Sequence, residues 1–526
     1  MTPLDYIWAG ILAVFQGPEA FSLLGLPISI SVVMVSLGLL VGIIVGATAG
    51  LGQVMALAIA LPILISVFGF NADALLPVLG FMIGVMKGST VGGAVPAILF
   101  NTPGTPDAYM TTLDGFPMAQ KGQADKALRV AHLSSVSGDT VSDIALFICA
   151  PFLAVLVEAF LDLPEKTALI ILSLSFIAAV VGASPAKGLL ACGLGLFCAY
   201  IGTGEEFYPR LTLGWTPLAD GFPIVVAVVG TLVIGAVFFE LDEAWHRRMQ
   251  AGKIKSAAQA KGYRLRWRDI KPLLPFIGRS AVIGTGIGAL PGIGSVLAAT
   301  LGYASGKRFY QNRKPVDAPD FGDGAPEGIA ATEAANSSVT GANLIPVLSL
   351  GIPGNTAAVF LILAMESIGG LNPGPSVFNF SDDLNTELVA AFGLFTLMVI
   401  ANVLNWTVGG RIMRSMGVMV RIPKHIILPV VLVLSLTALY VQETEILVVW
   451  FALGFGILGY IMRKLDISPL PFVIAVVLAR PLEATARQAF SATGGDPFFL
   501  LNRPVALAFI GLAVLVVAFS MRPGRR

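Results

Sequence analysis

The chain has 526 residues, of which 56% are hydrophobic and 12% are charged, and its mean hydropathy is +0.84. Soluble domains carry about 25% charged residues, so this composition excludes an ordinary soluble protein and indicates a polytopic membrane protein. The net charge of +1 excludes little, because in a membrane protein the placement of Lys and Arg carries the information.

Apolar runs long enough to cross a bilayer of about 30 Å recur along the chain. Lipid offers no water to backbone groups, and the runs are too long and too uniformly apolar for barrel strands, so they predict α-helices. We expect an all-α polytopic membrane protein with about 12–14 membrane-embedded segments. Representative runs are 28–48, 52–69, 133–160, 166–184, 186–202, 221–240, 272–290, 387–409, 426–440, 444–462 and 504–520.

The N-terminal region, the cysteines and the histidines show neither a processing signal nor a metal-binding motif. No Lys or Arg precedes Lys87, so the basic region of a cleavable signal peptide is missing and the N-terminus is expected outside. Cys149, Cys192 and Cys198 lie in apolar segments without metal-ligand spacing and are expected to pack as small apolar side chains. We therefore expect no cofactor.

Two sequences interrupt apolar runs: NTPGTP, residues 101–106, which we call the first break, and GIPGNT, residues 351–356, the second break. Proline removes a backbone donor and disfavours helix for the residue before it, while glycine permits unusual dihedrals and close approach. The helix is expected to stop here and to leave free amides and helix ends that can bind a polar ligand. Such backbone is tolerated in a membrane only beside protein or a watery cavity.

The densest basic stretch, residues 246–271, predicts a cytoplasmic linker between apolar runs. It lacks aromatic stacking platforms, so we expect no nucleic-acid partner. The linker separates a first membrane repeat, residues 1–245, from a second one, residues 272–490. A C-terminal transmembrane helix and basic cytoplasmic tail, residues 491–526, follow.

The two halves share an ordered set of glycines and prolines, which indicates an internal repeat. The glycines of residues 42–52 recur at one constant spacing in residues 284–294. A second set recurs at a slightly larger spacing, which an insertion around residues 321–332 explains. In that second set, Pro96, Pro103 and Gly104 recur as Pro346, Pro353 and Gly354.

Basic residues flank the two breaks on opposite sides, which predicts that the repeats are inverted. Three basic residues follow the first break, whereas the equivalent second-half stretch, residues 372–387, has none. Four basic residues precede the second break, whereas FNADALLP, residues 70–77, precedes the first. Inverted repeats with interrupted helices are typical of secondary transporters that bind substrate near the bilayer midplane. The basic residues are Lys121, Lys126, Arg129, Lys307, Arg308, Arg313 and Lys314.

Polar and small residues around the two breaks are the predicted substrate-binding residues, because neutral amides and hydroxyls can bind a carboxylate without a buried arginine. The alternative is that each Pro-Gly pair only kinks a packed helix or forms a turn, and that the polar side chains bond between helices. The predicted residues are Asn101, Thr102, Pro103, Gly104, Thr105, Asn336, Ser337, Gly351, Pro353, Gly354, Asn355 and Thr356.

Ionisable residues near the breaks are candidates for cation coupling, since such groups at membrane depth are often functional. We predict this role for Asp107, Glu333 and Asn343, with Na⁺ or H⁺ as the coupling ion. Turn, capping or water-facing roles are the alternative. The further carboxylates considered are Asp114, Asp139, Asp143 and Glu327.

Residues 101–128 and 321–360 closely resemble the large membrane subunit of the tripartite tricarboxylate transporters. ALPGIG, residues 289–294, and LNPGPSVF, residues 371–378, fit the same family pattern. The sequence departs from the pattern at Ala49 and Thr332, where the family usually has proline, which affects the expected local backbone shape.

The resemblance implies gradient-driven uptake of an organic di- or tricarboxylate across a bacterial inner membrane. The implied partners are a small membrane subunit and a periplasmic solute-binding protein that delivers substrate, with lipid around the chain. Alternating access would then move a bundle that carries the breaks against a scaffold that includes spans 221–240 and 444–462. Rocking and elevator-like motions both remain open.

Other functional classes fit the sequence less well. A channel for small anions is the main alternative, but it would normally show a filter ring or an oligomeric pore motif. An enzyme is not expected, because His132, His246 and His425 have no catalytic partner in the sequence. Sequences such as GTGIG lack the preceding strand and the P-loop lysine of a nucleotide site.

Overall fold

The structure is a computed structural model that describes most of the chain, and it confirms the all-α prediction. Apart from one short hairpin, Glu19–Leu23 with Leu26–Ser29, the regular elements among the described residues are helical. The structure describes residues 2–23, 26–48, 51–182, 184–202, 208–247, 263–311, 318–380, 384–416 and 424–521.

The helices are numbered in chain order. They are α1 (Pro3–Phe15), α2 (Ile30–Ala47), α3 (Gly52–Phe68), α4 (Ala72–Phe100), α5 (Tyr109–Gln120), α6 (Ala124–Phe160), α7 (Leu163–Val180), α8 (Pro185–Tyr200), α9 (Ile224–Val229), α10 (Gly235–Arg247), α11 (Trp267–Ile270), α12 (Leu274–Gly288), α13 (Gly294–Gln311), α14 (Pro326–Ala342), α15 (Leu344–Leu350), α16 (Thr356–Ile368), α17 (Thr386–Leu404), α18 (Gly410–Ser415), α19 (Lys424–Glu443), α20 (Ile446–Lys464), α21 (Pro469–Ala492) and α22 (Pro504–Ser520). Short 3-10 turns lie at Pro106–Ala108, Thr216–Leu218 and Pro375–Phe378, and π-helical turns lie at Gly230–Ile234 and Asn405–Gly409.

Many of these helices suit a bilayer, so the chain is a multi-pass membrane protein. Within the described ranges, nine helical stretches are long and apolar enough to cross a membrane. Five shorter apolar helices, α1, α3, α8, α16 and α22, accompany them. A helix rises about 1.5 Å per residue, so about 20 apolar residues span the hydrocarbon core of a bilayer.

The chain divides into two compact units. The first unit comprises residues Met1–Ala154, Arg247–Leu290 and Gly294–Ile427, and it contains both predicted breaks. The second unit comprises Val155–His246, Pro291–Ile293 and Leu428–Arg526.

In the first unit, α2 and α4 pack backbone against backbone. A Cβ atom added at Gly42 would lie 2.4 Å from the Val85 carbonyl oxygen, and one added at Gly84 would lie 2.4 Å from the Val35 carbonyl oxygen. Glycine spaced at one helical turn lets two membrane helices approach this closely. The contact runs along both helices through Gly38, Gly42 and Gly46 of α2 and Gly84, Gly88 and Gly92 of α4.

A similar close contact joins α12 and α14. A Cβ atom at Gly284 would lie 2.2 Å from the Ala335 carbonyl oxygen, and one at Gly288 would lie 2.9 Å from Val339 Cα. Gly42 and Gly284, paired by sequence, therefore both sit at close helix contacts. The internal repeat and the relative orientation of its copies stay predictions.

We expect Gly284→Val to destabilise the protein by about 1–3 kcal/mol, the usual cost of overpacking a close contact. The matched control is Gly286→Val on the same helix, where an added Cβ meets nothing within 4 Å. Its effect should stay within about 0.5 kcal/mol. Thermal unfolding of both purified variants in one detergent checks this, and equal melting temperatures would contradict the packing assignment.

The second unit contains the spans predicted as scaffold, residues 221–240 and 444–462. They correspond to α9, the π-helical turn with α10, and α20. α20 packs closely on the π-helical turn, because a Cβ at Gly459 would lie 2.2 Å from the Thr231 carbonyl oxygen. The Arg463 guanidinium donates to the carbonyl oxygens of Thr231 and Leu232, each at 2.9 Å. Both carbonyls belong to the π-helical turn, in which backbone hydrogen bonds run from i to i+5 and not from i to i+4 as in an α-helix.

Several predicted features lie outside the described residues. These are residues 248–262 of the basic linker, Ala49 and Gly50, Arg313 and Lys314, and the C-terminal residues 522–526. The proposed boundaries at 1–245, 246–271, 272–490 and 491–526 remain predictions.

Candidate functional site

The first break ends α4 with a left-handed residue two positions before the Pro-Gly pair. Asn101 has φ 54°, and its backbone N–H donates to the Pro96 carbonyl. The N–H of Thr102 also donates to the Pro96 carbonyl, at 3.2 Å. This is a C-terminal capping geometry that satisfies otherwise free carbonyl groups, and asparagine is among the few residues that tolerate it.

The second break has the same geometry at the equivalent residues. Gly351 ends α15 with φ 71°, and the N–H of Ile352 donates to the Pro346 carbonyl at 3.2 Å. Pro346 corresponds to Pro96 in the predicted repeat. Both Pro-Gly motifs therefore mark real helix stops, and the interpretation as simple kinks within a continuous helix is wrong.

After each stop the chain folds back against the helix it has just left. The N–H of Gly104 donates to the Gly93 carbonyl of α4 at 3.4 Å. A Cβ at Gly104 would lie only 2.3 Å from the Gly46 carbonyl of α2. At the second break, a Cβ at Gly354 would lie 2.9 Å from Oδ1 of Asn343. Only glycine fits this close return at residue 104.

Several of the predicted site residues are buried and have polar side-chain atoms without a hydrogen-bond partner among the described residues. Thr105 Oγ1, Ser337 Oγ and both terminal atoms of Asn336 have no hydrogen-bond partner among the described residues. The same holds for both terminal atoms of Asn343. Buried polar groups are nearly always hydrogen-bonded, so an unpartnered set indicates a place for water or a ligand.

Much of this set lies on a helix that is buried on all sides. Every residue from Gly328 to Ser349, which covers nearly all of α14 and α15, is buried. The stretch nevertheless carries Thr332, Glu333, Asn336, Ser337 and Ser338. A buried polar helix in a membrane protein either lines a polar path or forms hydrogen bonds to neighbouring helices. Ser338 forms such an interhelical bond, because its hydroxyl donates to the Gly138 carbonyl of α6 at 3.0 Å.

Other predicted substrate-binding residues are placed differently. Asn101 and Thr102 are exposed, and the Thr102 hydroxyl donates to the Phe100 carbonyl at 3.2 Å. Asn355 caps α16, with Oδ1 accepting from the Ala358 N–H at 2.9 Å. Three of the predicted residues are half-buried: Pro103, Gly351 and Thr356. Two are buried: Pro353 and Gly354.

Glu333 links three helices of the first unit. Its carboxylate accepts from the Thr111 hydroxyl of α5 and from the Ser135 hydroxyl of α6, the latter at 2.8 Å. It is completely buried. Asp107 is half-buried in the 3-10 turn before α5, and this turn packs on α13. Of the residues predicted for coupling, these two lie near the first break, and Asn343 contacts the second.

Asp114 has a structural role. Its Oδ1 accepts from the backbone N–H groups of Gly322, Gly324 and Ala325 at 2.8–3.0 Å. These bonds hold the loop that leads into α14. The sequence suggested a turn role for Asp114, but the residue lies inside α5 and anchors residues 322–325, which are distant in sequence.

A buried charged cluster lies in the first unit; the sequence analysis considered its two aspartates, Asp139 and Asp143, but missed the lysine and the asparagine. Lys87 Nζ of α4 is 2.9 Å from Asp139 Oδ2 and 2.7 Å from Asp143 Oδ2, both on α6. Asn402 of α17 accepts from Lys87 at 3.1 Å and donates to Asp143 Oδ2 at 2.7 Å. A lysine inside an otherwise apolar run was the sequence signal for this cluster, and nothing local identified Asn402.

Comparison with known proteins gives one family. Residues 32–474 match the family described as "Tripartite tricarboxylate transporter TctA family". An Agrobacterium vitis protein named "Uncharacterized 52.8 kDa protein in TAR-I ttuC' 3'region" is 30% identical over 501 residues, which cover 94% of each chain. A second protein from that organism, "Uncharacterized protein in TAR-II ttuC' 3'region", is 29% identical over 243 residues, which cover 46% of this chain and 96% of the relative. No solved structure matches.

Proposed function

Because the chain belongs to the tripartite tricarboxylate transporter TctA family, we propose that it is the large membrane subunit of a secondary transporter for an organic di- or tricarboxylate. In this proposal it imports the substrate across a bacterial inner membrane by alternating access. It acts as a transporter component and not as an enzyme. A small membrane subunit and a periplasmic solute-binding protein complete the system, in keeping with the word "tripartite" in the family description.

The observation that carries the proposal is the pair of matching helix stops beside unpartnered buried polar groups. Both stops use a left-handed residue and a bond to the equivalent proline carbonyl. Interrupted helices in repeats form the substrate sites of many secondary transporters. Thr105, Asn336, Ser337 and Asn343 supply hydroxyl and amide groups that match the acceptor oxygens of a carboxylate.

The first unit offers helix contacts suited to movement. At the α2–α4 contact, glycines of each helix lie against the backbone of the other. Small-residue contacts of this kind support close helix packing in membranes. We propose that the element carrying the breaks moves against the scaffold spans named above, by rocking or by an elevator-like displacement.

A cation gradient drives uptake in this proposal, with Na⁺ or H⁺ as the ion. Asp107 and Glu333 near the first break, and Asn343 at the second, remain candidates for that coupling. Ionisable groups buried at membrane depth are costly to maintain, which favours a functional role for Glu333.

Uptake of labelled carboxylates by the complete system tests the proposal. Cells without endogenous carriers would express this chain with its small membrane subunit and binding protein, and a panel of di- and tricarboxylates that includes citrate would be measured. Each assay would be run with a Na⁺ gradient, with a proton gradient and without the binding protein. We expect concentrative uptake of at least one substrate that requires the binding protein and one of the two gradients.

The alternative function, a channel for small anions, gives a different result in the same assay. A channel passes current and equilibrates its ion without accumulation. Gradient-independent flux that stops at equal concentrations, from an assembled complex, would overturn the transporter proposal.

A further inference from the structure

The Lys87 cluster of the first unit contains more negative than positive charge. It consists of Lys87, Asp139, Asp143 and the neutral amide of Asn402. The side chains of Lys87, Asp139 and Asp143 are 0%, 4% and 2% exposed. With all three ionised the cluster would carry one net negative charge. An uncompensated charge in such a site is costly, so one carboxyl group is expected to hold a proton.

The surrounding ionisable groups do not supply the missing positive charge. Glu333 is bound by hydroxyl groups, Asp114 by backbone N–H groups, and His132 Nε2 lies 3.0 Å from the Asn405 carbonyl. α2 and α3, which pack on α4, carry no ionisable residue. The remaining ionisable residues on elements that contact α4 are Asp107 of the 3-10 turn, Glu327 of α14, Glu366 near the end of α16, Glu387 at the start of α17, and Arg411 and Arg414 of α18.

The hydrogen bonds distinguish the two aspartates. Asp143 Oδ2 accepts from both Lys87 and Asn402, each at 2.7 Å. Asp139 Oδ2 meets only Lys87, at 2.9 Å, and the Oδ1 atom of each aspartate has no hydrogen-bond partner within the described residues. Hydrogen bonds to a carboxylate stabilise its charged form, so Asp143 is the better-stabilised anion. The proton therefore belongs on Asp139.

We infer that Asp139 carries the coupling proton of this transporter, with Lys87, Asp143 and Asn402 as its fixed charged environment. The Lys87 ammonium lies within 2.9 Å of both carboxylates and occupies the place that a bound metal cation would need. A proton requires no such space. This inference rests on the proposed function and names H⁺ as the ion that it left open.

The cluster also contacts the helix that leads to the second break. A Cβ at Gly341 of α14 would lie 2.3 Å from Asp143 Oδ1 and 2.7 Å from Ser142 Oγ. Two residues further, Asn343 contacts Gly354 of the break. Protonation of Asp139 removes a negative charge beside Lys87 and lets the ammonium interact more strongly with Asp143. Asp143 packs on Gly341, so a change in the position of the Asp143 carboxylate moves the α14 backbone that precedes the proposed substrate site.

Proton movement and substrate exchange, measured separately, test the inference. The complete system would be reconstituted in vesicles that contain a pH-sensitive dye, with wild type and Asp139→Asn compared. Exchange of labelled for unlabelled substrate without a gradient should stay within about twofold of wild type. Substrate-induced acidification and accumulation driven by a proton gradient should fall at least tenfold. The variant should fold, because it leaves Lys87 and Asp143 as a balanced pair.

Two further variants serve as controls. Glu158→Gln removes a carboxylate from α6 at a site that is 55% exposed and should leave both measurements unchanged. Asp139→Glu keeps a carboxyl group and should retain proton movement. Substrate-linked proton movement in Asp139→Asn, or accumulation by wild type that needs Na⁺ and moves no proton, would overturn the inference. Absence of exchange by wild type with every substrate would instead contradict the proposed function.

Discussion

Replacing Gly104 with valine is expected to abolish carboxylate uptake while leaving the chain in the membrane. The first Cβ atom alone would lie 2.3 Å from the Gly46 carbonyl and 2.9 Å from Pro96 Cγ, and valine adds two methyl groups. The returning loop at residues 103–105 must then move away from α2 and α4, and Thr105 moves with it. Gly354→Val should act similarly at the second break, where Cβ would lie 2.9 Å from Asn343 Oδ1. Labelled uptake and the amount of membrane protein are the measurements.

Gly278→Val is the matched control for this pair. Gly278 is an exposed helical glycine, and a Cβ added there meets nothing within 4 Å. Uptake by this variant should stay near the wild-type rate. If Gly104→Val fails to accumulate in the membrane, Gly104→Ala provides the smaller change and should show a partial loss of uptake at a normal protein level. Normal transport by both valine variants would refute the assignment of the breaks to the substrate site.

Glu333→Gln is expected to lower uptake at least tenfold with a normal amount of protein in the membrane. The carboxylate accepts one hydrogen bond from α5 and one from α6. Glutamine keeps the shape but offers one acceptor oxygen and an amide that must donate, so one hydroxyl has to reorient. The bond network that ties α5, the helix after the first break, to α14 is thereby altered, and the buried negative charge is lost. Initial uptake rates check the expectation.

The number of protons moved per substrate distinguishes two roles for Glu333. If Asp139 carries the proton, the slower transport of Glu333→Gln should retain the wild-type proton-to-substrate ratio. Intact exchange without proton movement in Glu333→Gln would instead assign coupling to Glu333, as the sequence suggested. Asp114→Asn provides a contrast, since Asp114 anchors residues 322–325 and its loss should mainly lower stability.

The sequence predicted the membrane class and the helix stops well because both depend on local chemistry. Long apolar runs in lipid have to form helices, since backbone groups there find no other partners. NTPGTP and GIPGNT predicted stops, and the helices end at Asn101 and Gly351. The sequence showed the repeated glycines only as a pattern. The structure shows that they allow close backbone contact between α2 and α4 and between α12 and α14.

Tertiary structure alone decided which polar groups meet. Lys87 lies 56 positions from Asp143 and 315 positions from Asn402, and no local pattern relates residues so far apart. The structure likewise gives the two asparagines different roles. The side-chain atoms of Asn343 have no hydrogen-bond partner among the described residues, whereas Oδ1 of Asn355 caps α16. Composition and local propensity determine where helices form and stop, whereas side-chain partners depend on how distant helices pack. The sequence by itself therefore determined an all-α transporter-like membrane chain with two breaks, and the packing of its helices determined the buried cluster and the groups left to bind a ligand.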